Sequence, residues 1–257
     1  MKLKKEVERE RVRWLGEYCL MKVDSKWNFY DAKMKQITNV GFDEIELYGD
    51  FVKVVKFDTT RKVGLYDENA KELIPIEWKE INVFREYIEC VSESNKTAIL
   101  TYNLKVVLPL GAWKSIHVSK NGIIASMRKG KVCLYNWKGK LILSKKKSIT
   151  FLNDYLIRGE TSNGKFALYS RMGKELLPAD YSLIDMMKDI NGNQYIKLQY
   201  SDLQHGLYTT KLSPIIPCGN NYIYYNDLIM TGILKVKIKG KGTTSYLIKR
   251  GKIKALA

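Results

Sequence analysis

The tripeptides Asn28-Phe29-Tyr30, Gly64-Leu65-Tyr66, Ala98-Ile99-Leu100, Cys133-Leu134-Tyr135, Ala167-Leu168-Tyr169, Gly206-Leu207-Tyr208 and Tyr246-Leu247-Ile248 return along the chain with their central residues 36, 34, 35, 34, 39 and 40 positions apart. A period of this kind is the mark of a repeat architecture, in which each unit buries its apolar faces only against its neighbours. Around each core the register continues. A polar turn follows, as in Asp67-Glu68-Asn69-Ala70-Lys71 and Asn136-Trp137-Lys138-Gly139-Lys140. A short apolar stretch then runs into proline at Leu73-Ile74-Pro75, Val107-Leu108-Pro109, Leu176-Leu177-Pro178 and Ile215-Ile216-Pro217. Next comes an aromatic three residues before an isoleucine: Phe42 and Ile45, Trp78 and Ile81, Trp113 and Ile116, Tyr181 and Ile184.

Each unit also opens on an alternating stretch such as Phe51-Val52-Lys53-Val54-Val55-Lys56. One unit therefore reads as three strands joined by tight turns, a proline-marked bend, and a last short strand. Proline has no N–H for a central ladder, so a bend or strand end suits it. The expected fold is all-β, with about seven units of about 35 residues in one domain over 1–257: 17–49, 50–84, 85–120, 121–152, 153–191, 192–226 and 227–257. Such units form either a seven-bladed β-propeller or an open, solenoid-like array. The propeller is preferred. The last unit ends after an expected third strand, and residues 1–16 offer a strand to close the ring and hide two sheet edges.

This grammar resembles the WG-repeat (Trp-Gly repeat) family, whose unit runs Gly-Lys-Trp-Gly-Leu-Ile-Asp, Gly-Lys, Ile-Pro, Tyr-Asp-x-Ile. The closest copy is Lys62-Val63-Gly64-Leu65-Tyr66-Asp67 with Lys71-Glu72-Leu73-Ile74-Pro75 and Trp78-Lys79-Glu80-Ile81. The signature tryptophan survives only as Trp27. Val63, Thr97, Val132, Phe166, His205 and Ser245 stand at that place elsewhere. The resemblance implies a β-repeat interaction protein with no catalytic residues to carry over.

The net charge of +17 is uneven. Residues 94–153 hold twelve Lys or Arg and no Asp or Glu; residues 228–257 hold eight and none. These account for +20, so the rest of the chain sums to −3. Such sectors attract polyanions through counterion release, and they equally serve as solubilising surface. The candidate polyanion contacts are Arg128, Lys129, Lys145, Lys146, Lys147, Lys237, Lys239 and Lys241. In a hairpin repeat, residues 128–131 and 138–140 fall at opposite ends of one strand, which argues against a single patch. Trp137, in a turn, is the candidate exposed contact aromatic.

Catalytic chemistry has little to stand on. His117 lies in an alternating strand, and His205 occupies the signature-tryptophan place as a packing residue. Lys239-Gly240-Lys241-Gly242-Thr243-Thr244 reads as a hairpin turn rather than a phosphate loop. Cys19, Cys90, Cys133 and Cys218 are widely spaced in apolar contexts and read as buried free thiols. The expectation is a non-enzymatic, cytoplasmic platform without metal, cofactor, membrane partner or small-molecule substrate. It binds a protein partner or, alternatively, nucleic acid or a ribonucleoprotein through the two basic sectors.

Overall fold

The computed structural model describes residues 12–127, 130–249 and 252–256. The strands form seven successive antiparallel meanders, the blade topology of a β-propeller. The first sheet is Val12–Leu15, Tyr18–Val23 and Lys26–Tyr30; the second is Glu44–Tyr48, Phe51–Phe57, Arg61–Asp67 and Glu72–Trp78. The third comprises Glu80–Val83, Ile88–Val91, Thr97–Leu100 and Val106–Gly111, and the fourth Trp113–Ser119, Gly122–Met127, Val132–Tyr135 and Leu141–Lys146. The fifth holds Ser148–Phe151, Leu156–Glu160, Phe166–Ser170 and Glu175–Tyr181. Leu183–Lys188, Gln194–Ser201, Gln204–Thr209 and Pro214–Ile216 make the sixth; Asn221–Tyr224, Ile233–Ile238, Lys241–Lys249 and Lys252–Ala255 make the seventh. Among the described residues there is one helix, Tyr225–Thr231.

The sheets start one strand earlier than the sequence units. Pro217 follows the end of the strand Pro214–Ile216, as expected, whereas Pro75, Pro109 and Pro178 sit in a bulge that the fourth strand runs through. Leu65 pairs with Ile74 but Val63 with Trp78, and Leu168 pairs with Leu177 but Phe166 with Tyr181. Pro75 and Pro178 begin the extra residues, on strands that pair only with the third strand of their sheet, where a missing N–H blunts a free edge. The short strand after the bulge, such as Glu80–Val83, pairs into the next sheet. The bulge also explains the small residue before five of the central apolar ones, Gly64, Ala98, Cys133, Ala167 and Gly206. A Cβ on Gly64 would lie 2.6 Å from Ile76 Cγ1, and one on Gly206 3.0 Å from the backbone nitrogen of Cys218.

The ends of the chain differ from expectation. Residues 1–11 of the expected closing segment lie outside the described residues. Val12–Leu15 pairs with Tyr18–Val23 inside the first sheet. The seventh sheet takes its fourth strand from Lys252–Ala255, paired with Lys241–Lys249. In the first sheet the Thr38 hydroxyl accepts the Phe29 N–H at 3.1 Å, a place where a strand carbonyl would stand. Only isolated bridges, Trp27 with Phe42 and Tyr30 with Gln36, follow its third strand.

The chain packs as two compact units: one runs up to Trp113 and adds Trp137–Lys140, and the other holds Lys114–Asn136 and the chain from Leu141. Within the first, Leu20, Phe29 and Phe42 pack with Val52, Val54 and Tyr66, and Val63, Leu65 and Ile74 pack with Ile81, Ile88 and Cys90. Within the second, cores of the same kind join the fourth and fifth, fifth and sixth, and sixth and seventh sheets. The central residues Phe29, Leu65, Ile99, Leu134, Leu168 and Leu207 are all buried, whereas Leu247 is half-buried.

One five-residue turn recurs between third and fourth strands. In it Asp67 Oδ1 accepts the Lys71 N–H at 2.9 Å, and Thr101, Ser170 and Thr209 hydroxyls accept the N–H four residues on. Side-chain oxygens commonly cap such turns. The fourth turn residue is left-handed: Ala70 (φ 62), Leu104 (59), Gly173 (83) and Leu212 (65).

Two measurements check this packing. In urea unfolding, Leu168→Ala and Leu207→Ala are each expected to cost about 2–5 kcal/mol, and Leu247→Ala about 1 kcal/mol. Equal losses at all three positions would contradict the burial difference. Ala70→Gly relieves a left-handed conformation worth about 1–2 kcal/mol, less about 0.5–1 kcal/mol of added chain entropy. A rise in Tm of a few degrees is expected.

Candidate functional site

The seventh sheet begins with Asn221–Tyr224, whose alternation sends Ile223 into the core and leaves Tyr222 and Tyr224 exposed. Register places Tyr222 beside Lys237 and Tyr224 beside Lys235. The strand then turns at Lys239-Gly240, with Gly240 at φ 79, and returns as Lys241–Lys249. The expected hairpin is therefore present. These elements and the turn at Ser201–Gln204 line a cleft of about 800 Å³ that holds Lys237, Lys239, Lys241, Tyr222, Tyr224, Leu203 and Asn220. Its lining contains no carboxylate. Among the described residues, none of these three lysines has a salt bridge, whereas the adjacent Lys235 pairs with Asp227 at 3.5 Å.

The first basic sector behaves differently. Arg128 and Lys129 lie outside the described residues. Lys146 is half-buried, with Nζ donating to the Tyr169 hydroxyl at 2.6 Å and lying 4.7 Å from its ring centre. Lys147 is 2.6 Å from Glu160 Oε1, and Lys145 is exposed. Three consecutive lysines thus have three environments: Lys145 sits at φ 57 in the bulge between the Leu143 and Lys146 pairings, Lys146 pairs with Val132, and Lys147 follows the strand's end. Lys131 closes the turn from Met127, and Lys140 lies beyond the other end of the strand Val132–Tyr135. The separation of these charges follows the hairpin geometry.

In the first unit, Trp137 is half-buried rather than exposed, with its ring 6.5 Å from that of Tyr87. Tyr87 stacks on Phe84 at 4.6 Å, and Phe51 meets Tyr102 edge-on at 5.2 Å. The Tyr102 hydroxyl donates to the carbonyl of Phe84. These residues flank the turns of the second and third sheets, and a cleft of about 610 Å³ lies among Tyr48, Asp50, Phe51, Phe84, Arg85 and Tyr102. Phe84 and Tyr102 are exposed at 43% and 39%. The sequence pattern missed this group, because its aromatics sit at turns and do not share a repeat position. The chain spacing of Phe84 and Tyr87 around a turn is the one local signal for it.

Lys53 is buried in the same unit. Its ammonium lies 3.0 Å from Glu46 and 3.2 Å from Glu80. Desolvation, the largest single cause, lowers its pKa, but the hydrogen bonds and charges of the two glutamates together outweigh it and raise the pKa. In the second unit Arg158 donates to the Ile184 carbonyl at 2.9 Å, and Asp185 lies 3.8 Å from both Arg158 and Lys197. The polar residues of first and second strands thus stitch sheets together.

His205 is buried between Tyr222 and Tyr225, with ring centres 4.5 and 5.6 Å away. Its Nε2 donates to the Asp202 carbonyl at 2.9 Å, and its Nδ1 accepts the Ile223 N–H at 3.3 Å. Both ring nitrogens are engaged in packing, as the sequence position suggests. His117 is exposed. Cys19, Cys90 and Cys133 are buried free thiols, and Cys218 is a half-buried one; burial pushes the Cys90 thiol up to about 12. Among the described residues, no group of three or more His, Cys, Asp or Glu is placed to hold a metal ion. No helix among them is long and apolar enough to cross a membrane.

No family model matches the chain, and no curated protein matches it. Among solved structures it is similar to the computationally designed Ika8 protein, with a TM-score of 0.29, 9% identity, and coverage of 92% of this chain and 82% of that one. It is also similar to BamB from Moraxella catarrhalis (TM-score 0.28, 14% identity, 91% and 80% covered). A third is the WD40 β-propeller domain of Doa1 (TM-score 0.26, 11% identity, 91% and 90% covered). The architecture described above rests on strand pairing, not on these likenesses.

The His205 environment predicts a pH dependence. Desolvation, the largest cause, lowers its folded-state pKa, so the unfolded chain takes up a proton that the folded chain resists. Its contribution to stability is full above the unfolded value of about 6.5 and is lost as pH falls below it. The urea midpoint is expected to fall between pH 7 and pH 5 and to fall less in His205→Phe. Parallel pH slopes for the two proteins would remove this role.

Proposed function

We propose that this chain is a divergent WG-repeat protein that serves in the cytoplasm as a non-enzymatic platform for a protein partner, which docks on the turn end of the second and third sheets. The single observation that carries the docking site is the cleft flanked by exposed Phe84 and Tyr102 with Arg85 beside them. Tyr, Phe and Arg are the residues enriched where protein interfaces concentrate their binding energy. Rigidity comes from the paired sheets beneath, so the aromatic groups lose little freedom on binding. The repeated small residue against the bulge, the capped turn and the edge proline support the family reading. Free thiols such as Cys90 suit a reducing compartment. Binding rather than catalysis is favoured because His205 spends both nitrogens on the fold.

The test is affinity capture from native extract followed by comparison of variants. A partner held by the wild type is expected to be lost with Phe84→Ala and Arg85→Ala, and to be retained when Lys237, Lys239 and Lys241 are changed to Gln. Loss of a hot-spot aromatic typically weakens binding by at least about 30-fold (2 kcal/mol). A partner that remains bound to the Phe84→Ala, Arg85→Ala double variant would overturn the assignment of this site.

A further inference from the structure

The cleft at the sixth and seventh sheets lies outside that docking reading, and its chemistry is of another kind. We propose that it binds single-stranded nucleic acid, with Tyr222 and Tyr224 stacking on bases and Lys237, Lys239 and Lys241 neutralising the backbone. Three exposed lysines share one cleft of about 800 Å³ whose lining has no carboxylate. Elsewhere the conspicuous lysines are committed: Lys146 to Tyr169, Lys147 to Glu160 and Lys53 to two glutamates. A concentrated, uncompensated positive charge recruits a polyanion and releases its counterions.

The tyrosines narrow the class of polyanion. They are 38% and 37% exposed and lie edge-to-face 5.0 Å apart. An acidic peptide would engage the lysines and leave these rings without a role. A duplex hides its base faces in the stack. A single strand offers both phosphates and free base faces, the pairing that sequence-tolerant single-strand sites use. Spacing agrees. Tyr222 and Tyr224 are two residues apart on one strand, about 6.6 Å along it, roughly twice the 3.4 Å stacked repeat of a nucleic-acid strand. Bases separated from one another can therefore meet one tyrosine each. Strand register sets Lys237 beside Tyr222, so one of the cleft charges lies next to one of the rings. Lys254, opposite Leu247 in the same sheet, carries exposed positive charge onward.

The experiment is fluorescence anisotropy with labelled mixed-sequence 12-mers of single-stranded DNA and RNA. A 12-bp duplex and poly-glutamate serve as competitors, between 50 and 200 mM salt (roughly the range over which phosphate contacts show their salt dependence). The single strands are expected to bind, and duplex and poly-glutamate to compete poorly. Each phosphate contact on a single strand contributes a log–log salt slope of about −0.7. Changing Lys237, Lys239 and Lys241 to Gln is therefore expected to flatten the slope by about 2. Tyr224→Leu is expected to weaken binding about 5- to 150-fold, the effect of losing one stacked base, while Tyr224→Phe retains it. Unchanged Tm values confirm that these exposed substitutions leave the fold intact. Absence of single-strand binding at 50 mM salt overturns the proposal. So does poly-glutamate competing as well as the unlabelled 12-mer, which would mark the cleft as a site for acidic peptides, or a Tyr224→Leu variant that binds like the wild type, which would leave the rings without a stacking role.

Discussion

A four-stranded meander of this size has an apolar set on each face and cannot bury both alone. That constraint governs the molecule. Leu168 is buried only because the sixth sheet supplies Ile184, Ile196 and Leu198 against it. Leu207 is buried only because the seventh supplies Ile223, Leu234 and Val236. Stability therefore lies between sheets as much as within them, and each unit of the chain is a run of neighbours that complete one another.

The same constraint explains the less obvious regularities. To keep the fourth strand close while its edge remains protected, the chain inserts a bulge marked by Pro75, Pro109 or Pro178, and the third strand must offer a small residue there. Gly64 and Gly206 have no room for a Cβ. Ala98, Cys133 and Ala167 hold the same place in their sheets, all buried. Trp113 adapts the pattern differently: its indole lies over Gly111, whose added Cβ would come within 2.8 Å of the ring. The charged residues follow geometry too. Lys71, Lys105 and Lys174 close equivalent turns, with N–H groups held by Asp67, Thr101 and Ser170. These three lysines thus owe their place to the turn, which sets them apart from the cleft lysines of the seventh sheet.

Among the described residues the polar groups inside the sheets are few, and most are paired; the Trp78 Nε1 and the Arg158 Nε are buried without a hydrogen-bond partner. Lys53 retains its charge between Glu46 and Glu80, and Asn221 donates to the His205 carbonyl at 2.9 Å. An unpaired group in these positions would cost the full desolvation of the charge or dipole. Met187, in the Met186-Met187 pair, fills core space against the seventh sheet. The helix Tyr225–Thr231 is an insertion after the first strand of the last sheet. It ends at left-handed Gly232, whose N–H donates to the Leu228 carbonyl. The lengthened spacing of 40 before Leu247 accommodates it.

The amino-acid sequence alone determined the all-β class, the sevenfold beat and six of the buried central residues, because period and alternation report which residues must leave water. It also told apart the two ends of Val132–Tyr135, since strand geometry follows from residue count. Tertiary structure alone decided which strand joins which sheet: the hydrogen bonds of Glu80–Val83 go to the next sheet, and no local pattern records a partner. It decided that Lys145, Lys146 and Lys147 disperse while Lys237, Lys239 and Lys241 converge, because convergence depends on the turn at Ser201–Gln204 and the strand at Asn221–Tyr224 meeting across sheets. It likewise gathered Phe51, Phe84, Tyr87 and Tyr102 from three separate turns. Periodicity describes what each unit shares, and these two surfaces are built from what the units do not share.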